Sequence, residues 1–210
     1  MPKLERMPED HIYQAYGIYL LRSQHRLIRR LKKRYQPSVH GHKTWNASFL
    51  LMDYLDHKPI AKGTKVLEIG CGWGPASVYC ASRFKAKVTG LDIDREVFPF
   101  LDVLAELNGV KVKRLVSKFE NLKTKQLAGF HTIVGSDVCF WDSMVKPLYQ
   151  LVNRAMKAGT QRFIITDPGR PTFYELADMC SKKFKVKLSE WYAVEPERFE
   201  GEIVEITPKK

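Results

Sequence analysis

The chain's 210 residues suit one α/β domain with an N-terminal extension better than two domains. No apolar run approaches the ~20 residues that span a bilayer, and the charged N-terminus lacks a signal-peptide apolar region, so the expectation is a soluble, cytoplasmic protein without a membrane span. The net charge of +12 is uneven, with ten lysines and arginines against three acids in residues 1–44; that excess suits an acidic partner (a protein surface, RNA or a headgroup layer) or a solvated face that only maintains solubility. Cys71, Cys80, Cys139 and Cys180 are scattered with no CxxC pair, which reads as reduced core thiols and no zinc site.

From about Asp10 to Tyr35, apolar Ile12, Tyr16, Tyr19, Leu20, Leu27, Leu31 and Tyr35 recur about three or four apart between arginines. The spacing predicts one amphipathic helix, or two, whose stripe buries against the rim of the domain. Residues 1–44 are therefore set apart as a basic helical extension from a domain over 45–210. Gln36–His42 breaks the helix, and His40 and His42, with no Cys, Asp or Glu beside them, read as loop filler rather than metal ligands. A helix over about 45–55 leads to an apolar strand, Lys65–Ile69, which runs into Gly70-Cys71-Gly72-Trp73-Gly74-Pro75. Glycine at every second position lets backbone turn tightly and approach a ligand, and Pro75 suits the first turn of a helix with free N–H groups.

The spacing limits the ligand. A dinucleotide fingerprint would place its last glycine at Pro75 or Ser77, and a P-loop would need Gly-Lys-Ser/Thr where Gly74-Pro75-Ala76 stands. What remains is acid-x-Gly-x-Gly-x-Gly with Glu68 as the acid. After a helix over about 76–84, the strand Lys87–Leu91 ends at Asp92, where α/β nucleotide sites hold ribose hydroxyls. Asp94, beyond the strand, reads as the cap of the next helix, about 95–107, which Asn108-Gly109 ends. A strand over 111–116, a strand over 132–136 closing on Asp137, a helix over about 143–157, a strand over 162–166, Asp167-Pro168-Gly169, and a helix over about 172–183 follow. Two alternating strands, about 185–192 and 202–206, finish the chain.

Strands alternating with helices imply a parallel sheet covered on both faces, with an antiparallel hairpin at one edge. Glu68, Asp92, Asp137 and Asp167 then all fall at strand carboxyl ends, where such sheets bind ligands. Asp167 has the weakest claim of the four, because Asp-Pro-Gly is also a plain turn.

The acid-x-Gly-x-Gly-x-Gly loop with Asp92 resembles the first motifs of class I S-adenosylmethionine (SAM) methyltransferases, and the order of elements over about 45–207 is similar to their Rossmann-like seven-strand fold. Gly135–Trp141 resembles the acid-x-x-aromatic signature of the protein-lysine methyltransferases of methyltransferase family 16, with Asp137 and Phe140 in its two defining positions. Thr44–Ser48 is similar to that family's Trp-bearing stretch, and Asp167–Arg170 resembles a run in the branch that modifies the β subunit of electron transfer flavoprotein. The long basic N-terminus departs from the family pattern.

The resemblance implies that Gly70, Gly72 and Gly74 line the methionine part of SAM, Glu68 orders the loop and Asp92 holds the ribose. It sets Phe119 near the adenine, Glu120 where it accepts from the adenine amino group, and Trp45 over the cofactor, although Trp45 at helical spacing from Phe49 and Met52 is equally a core residue. Asp137, Phe140 and Trp141 would orient and shield a lysine amine, with S-adenosylhomocysteine as the product; alternatively Asp137 caps a helix and the two rings pack. The leading expectation is a SAM-dependent protein methyltransferase acting on lysine in an acidic protein substrate. An RNA methyltransferase is the second reading, carried by the basic segment with its tyrosines, yet no Asn/Asp-Pro-Pro-Tyr/Phe run or Pro-Cys nucleophile is present. A small-molecule methyltransferase, with the N-terminal helix as a lid, and a non-catalytic SAM-fold module are the others. Nothing in the sequence sets the oligomeric state.

Overall fold

The computed structural model describes residues 10–38 and 40–209. Five parallel strands form the larger part of the sheet: β3 (Lys65–Ile69), β4 (Lys87–Asp92), β5 (Val112–Val116), β6 (Thr132–Ser136) and β7 (Arg162–Asp167). The terminal pair, β8 (Lys185–Ala193) and β9 (Phe199–Thr207), adds antiparallel at the β7 edge, giving the order β5-β4-β3-β6-β7-β9-β8. Central strands covered on both faces need apolar residues at nearly every position, and in β7 every residue from Phe163 to Asp167 is buried. The strand order reverses between β3 and β6, and in an open α/β sheet that reversal opens a crevice outside the strand carboxyl ends.

On one face lie α2 (Ala47–His57), α3 (Pro75–Phe84) and α4 (Phe98–Leu107), which bury Leu50, Tyr79 and Phe100 in one cluster with Val66 and Val88. On the other, α5 (Thr124–Leu127), α6 (Asp142–Lys157) and α7 (Pro171–Ser181) bury Leu127, Leu148 and Phe173 against Leu67, Ile133 and Phe163. Asp94 caps the turn leading into α4, its Oδ1 accepting from the amide of Glu96 at 2.8 Å, as the sequence suggests.

The N-terminal expectation needs correction. The first half of the expected helix is a hairpin of β1 (Ile12–Ala15) and β2 (Ile18–Leu21), and only Arg26–Arg34 is helical, as α1. Tyr16 at φ 50° and Gly17 at φ 75° supply the two left-handed residues of a tight hairpin turn. Ile and Tyr dominate the flanking positions and favour pleated strands. Their spacing satisfied a helical period only because a strand pair of four residues each leaves too few positions to separate the two periods.

The segment packs against the rest of the structure. Ala15, Ile18, Leu20 and Ile28 are buried in the same apolar cluster as α3 and α4. The turn is fastened by one phenol: Tyr16 Oη donates to Asp53 Oδ2 of α2 at 2.8 Å and accepts from the amides of Val194 and Glu195 at 3.0 and 3.1 Å. Asp53, itself buried, also accepts from the Trp191 indole at 2.9 Å. Tyr16→Phe removes the hydrogen bond to a charged acceptor, so it should lower stability by about 1.5–3 kcal/mol. Urea denaturation checks this, and an unshifted midpoint would show that the phenol's hydrogen bonds contribute nothing to stability.

Candidate active site

Glycine spacing in the loop after β3 has a separate steric reason at each position. Gly70, Gly72 and Gly74 all have positive φ, at 63°, 51° and 73°. A Cβ on Gly70 would lie 2.8 Å from Val138 Cγ1, and one on Gly74 would lie 2.1 Å from Leu101 Cδ1, so these two let neighbouring segments pack. A Cβ on Gly72 would meet nothing within 4 Å, so that glycine faces open space. Between them Trp73 is buried, stacked on Phe100 with centroids 4.7 Å apart, and donates its indole N–H to Gly41 O at 2.9 Å.

Two acids brace the loop from below. Glu68 is buried in β3 and accepts from Ser77 Oγ in the first turn of α3, so it orders the helix rather than facing a ligand. Burial pushes its carboxyl up to about 8. Asp92 at the end of β4 accepts from the amides of Gly72 at 2.9 Å and Asp94 at 3.0 Å and is only partly covered. Burial raises Asp92 above its ordinary value against the pull of those amides.

The exit of β6 completes the rim. Asp137 sits at φ 58°, uncommon for a residue with a Cβ, and its amide donates to Thr166 O of β7 at 2.8 Å. Arg170 joins it: one guanidinium nitrogen pairs with Asp137 Oδ1 and the other with Asp167 Oδ2, the latter at 2.8 Å. Asp167 is fully buried, and its Oδ1 accepts from the amides of Gly169 and Arg170, both at 2.9 Å. The weakest of the four acids is thus a turn former and also the anchor of the arginine beside Asp137. Ser136 Oγ, next to Asp137, is buried without a hydrogen-bond partner among the described residues.

Aromatic rings line the same end. Phe140 meets Trp141 edge-to-face at 4.5 Å, and His40 meets Phe140 at 5.2 Å and Trp45 at 5.8 Å. Trp45 stands outside the core, half-buried, with its indole N–H on His40 O at 2.8 Å and Lys43 Nζ 4.1 Å from its ring centre. The segment around it crosses the rim: Ser38 binds Asp94 through its amide and hydroxyl, Gly41 holds Trp73, and His40 touches Phe140. Sequence reasoning missed His40, Trp73 and Arg170; an Asp-Pro-Gly-Arg run and a tryptophan inside a glycine loop were the only signals available. Phe119 lies in the same buried cluster as Leu91, in a turn that Arg154 fastens to α6, and neighbouring Glu120 is exposed.

Sheet order and glycine loop give the chain a Rossmann-like seven-strand sheet of the kind found in solved methyltransferase structures. Residues 66–159 match the family described as "Methyltransferase domain". Among named proteins, 130 residues are 26% identical to the electron transfer flavoprotein beta subunit lysine methyltransferase of Mus musculus, covering 61% of this chain and 50% of that protein. A histidine protein methyltransferase 1 homolog of Dictyostelium discoideum is 30% identical over 131 residues, covering 59% of this chain and 42% of that protein. The chain spans about half the length of the curated relatives it matches. Among solved structures, precorrin-6y C5,15-methyltransferase of Geobacter metallireducens shares the fold, with a TM-score of 0.61 at 7% identity over 84% of this chain and 95% of that one.

The buried carboxyl makes stability depend on pH. The folded-state value of Glu68, about 8, lies above the ordinary 4.5, so the folded protein keeps the proton where the unfolded chain has lost it. This contribution is fully present below about pH 4.5 and declines as pH rises toward 8. Glu68→Gln, which keeps an oxygen for Ser77, should flatten melting temperature against pH in that window; an unchanged profile would mean that Glu68 is ionised in the fold.

Proposed function

We propose that the chain is a protein methyltransferase that moves a methyl group from SAM to a lysine side-chain nitrogen. The observation that carries this reading is the seating of Val138, inside the acid-x-x-aromatic segment, against Gly70 of the glycine loop, which makes the acceptor and donor halves of the rim neighbours. Open space over Gly72, the partly covered Asp92 carboxylate and the unpartnered Ser136 hydroxyl fit a polar cofactor in the crevice.

In this reading Gly70, Gly72 and Gly74 line the methionine part, Asp92 takes the ribose hydroxyls with its remaining lone pairs, and Phe119 with Glu120 borders the adenine. Trp45 covers the site from the crossing segment. When bound, SAM supplies an electrophilic methyl on a sulfonium. The protein's own task is placement, since a nucleophile and methyl held near 3–3.5 Å and in line need little acid–base machinery.

Asp137 accepts from the acceptor nitrogen, and the guanidinium of Arg170 fixes its rotamer. That cation also disfavours an ammonium nearby and so favours the neutral amine that reacts. Phe140 and Trp141 shield the nitrogen from bulk water. An acidic acceptor surface, drawn by the cations of α1 and its flanks, and a cytoplasmic setting for four buried, unbridged cysteines belong to the same proposal. Among the described residues no helix is long and apolar enough to cross a membrane.

The test is incubation of the purified protein with labelled SAM and either electron transfer flavoprotein β subunit or a lysate of its own source, with and without nuclease. Mass spectrometry should find methyl-lysine in a nuclease-resistant protein band. Methyl-histidine would move the acceptor to imidazole, and label lost with nuclease would replace the protein reading by RNA. Asp137→Asn, which tolerates the left-handed backbone, should lower turnover about 100-fold, the scale of a misplaced nucleophile, with S-adenosylhomocysteine affinity unchanged in calorimetry. Equal loss of both would reassign Asp137 to the cofactor or the fold.

A further inference from the structure

At the opposite ends of β3, β4 and β5 from the rim lies a groove of about 660 Å³. It is lined by Lys65, Lys85, Lys87, Lys111 and Lys113, with Phe130 and no carboxylate. Lys65 lies directly across from Lys87 in the β3–β4 ladder, and Lys113 lies across from Thr89 in the β4–β5 ladder. Residues two apart on a strand share a face, so Lys65, Lys87, Thr89 and Lys113 all project from the same side of the sheet. Further along that side Leu67 and Leu91 are buried under α5 and α6; toward the strand starts the surface turns to exposed lysine.

Like charges directly opposite on neighbouring strands repel. None of the five lysines forms an ion pair with a described carboxylate. The arrangement therefore opposes folding slightly unless an anion lies among them. A second observation borders the groove. β5 ends the sheet, and among the described residues no strand pairs with its outer side. An open edge presents alternating N–H and C=O groups to which an extended chain can add.

Chemistry selects between the polyanions that could use such a place. Single-stranded nucleic acid is held by aromatic stacking beside its phosphates, and among the described residues Phe130, half-buried, is the only ring lining the groove, with no arginine to grip a phosphate bidentately. An acidic polypeptide needs only backbone pairing and point charges. We propose that the lysine groove and the β5 edge together dock an extended acidic segment of a partner protein. The segment pairs with β5 as an added strand, and every second residue, a carboxylate, lies against Lys111 and Lys113 with Lys87 behind them. The motif it reads is acid-x-acid, set by the two-residue period of a strand. The site lies away from the rim and does not depend on which acceptor is methylated.

Fluorescence anisotropy with the full chain tests this, using a fluorescein-labelled octapeptide of alternating Glu and Thr, an octapeptide of alternating Glu and Pro with the same charge, and a labelled oligouridylate. The Glu/Thr peptide should bind, and K87E/K113E should weaken it at least about tenfold; melting temperature and S-adenosylhomocysteine binding verify that the variant is folded. The Glu/Pro peptide, whose prolines fix φ near about −65° and favour a polyproline II over a pleated chain, should bind at least about tenfold more weakly than Glu/Thr. K111Q/K113Q gives the same comparison should the double reversal not fold. No binding of the Glu/Thr peptide, equal binding of Glu/Pro, insensitivity to the substitutions, or tighter binding of oligouridylate would each overturn the proposal.

Discussion

The whole rim depends on the close approach of Val138 to two glycines. Its Cγ1 would lie 2.8 Å from a Cβ on Gly70, and its Cγ2 would lie 3.0 Å from a Cβ on Gly135. A methyl group at either place has nowhere to go in a packed interior. Without side chains at 70 and 135, the segment leaving β6 sits directly on the loop leaving β3, across the reversal in strand order. That contact brings Asp137 and Phe140 beside a loop whose middle glycine faces open space. The same logic holds on the other flank, where Gly74 admits Leu101 of α4 and fixes the start of α3.

A charge relay of the static kind then sets the rim's electrostatics. Asp137 and Asp167 leave adjacent parallel strands at the same level, and burial, with a smaller part from neighbouring Asp137, raises the Asp167 carboxyl above its ordinary value. Arg170 resolves this with its planar fork, one arm to each acid. Because Asp167 is buried and held by two amides, the guanidinium has a fixed origin, and Asp137, at an unusual backbone angle, is the less buried end of the bridge. The crossing segment supplies the other wall. Ser38, Gly41 and His40 tie it to Asp94, Trp73 and Phe140, so it touches the exits of β4, β3 and β6 in turn.

Much of this was legible in the sequence because it is local. The βα alternation, the glycine loop, Asp92 at a strand end and Asp94 as a cap all rest on residues within one turn of each other. What escaped is set by distant partners. The hairpin was read as helix because Tyr16-Gly17 lacks the Asn-Gly signal and because Ile12, Tyr16 and Tyr19 satisfy a helical spacing; its strands are chosen by burial against α3 and α4, which no local window contains. His40 passed for loop filler since its ring partners, Phe140 and Trp141, lie a hundred residues away in sequence. The spacing marks Glu68 as the acid of the glycine loop but does not show its partner, Ser77 at the start of α3. The turn that holds Phe119 is likewise pinned by a distant partner, Arg154 of α6 on Leu122 O.

The central claim is that one crevice, at the carboxyl ends of β3, β4 and β6, holds the cofactor beside the acid-x-x-aromatic segment. Hydrogen–deuterium exchange with and without saturating S-adenosylhomocysteine tests it most directly. The account predicts added protection in peptides containing Gly70–Gly74, Asp92–Asp94 and Asp137–Trp141, and none in those containing Lys85–Lys87 or Lys111–Lys113. Protection confined to the lysine groove, or absent from the glycine loop, would contradict it.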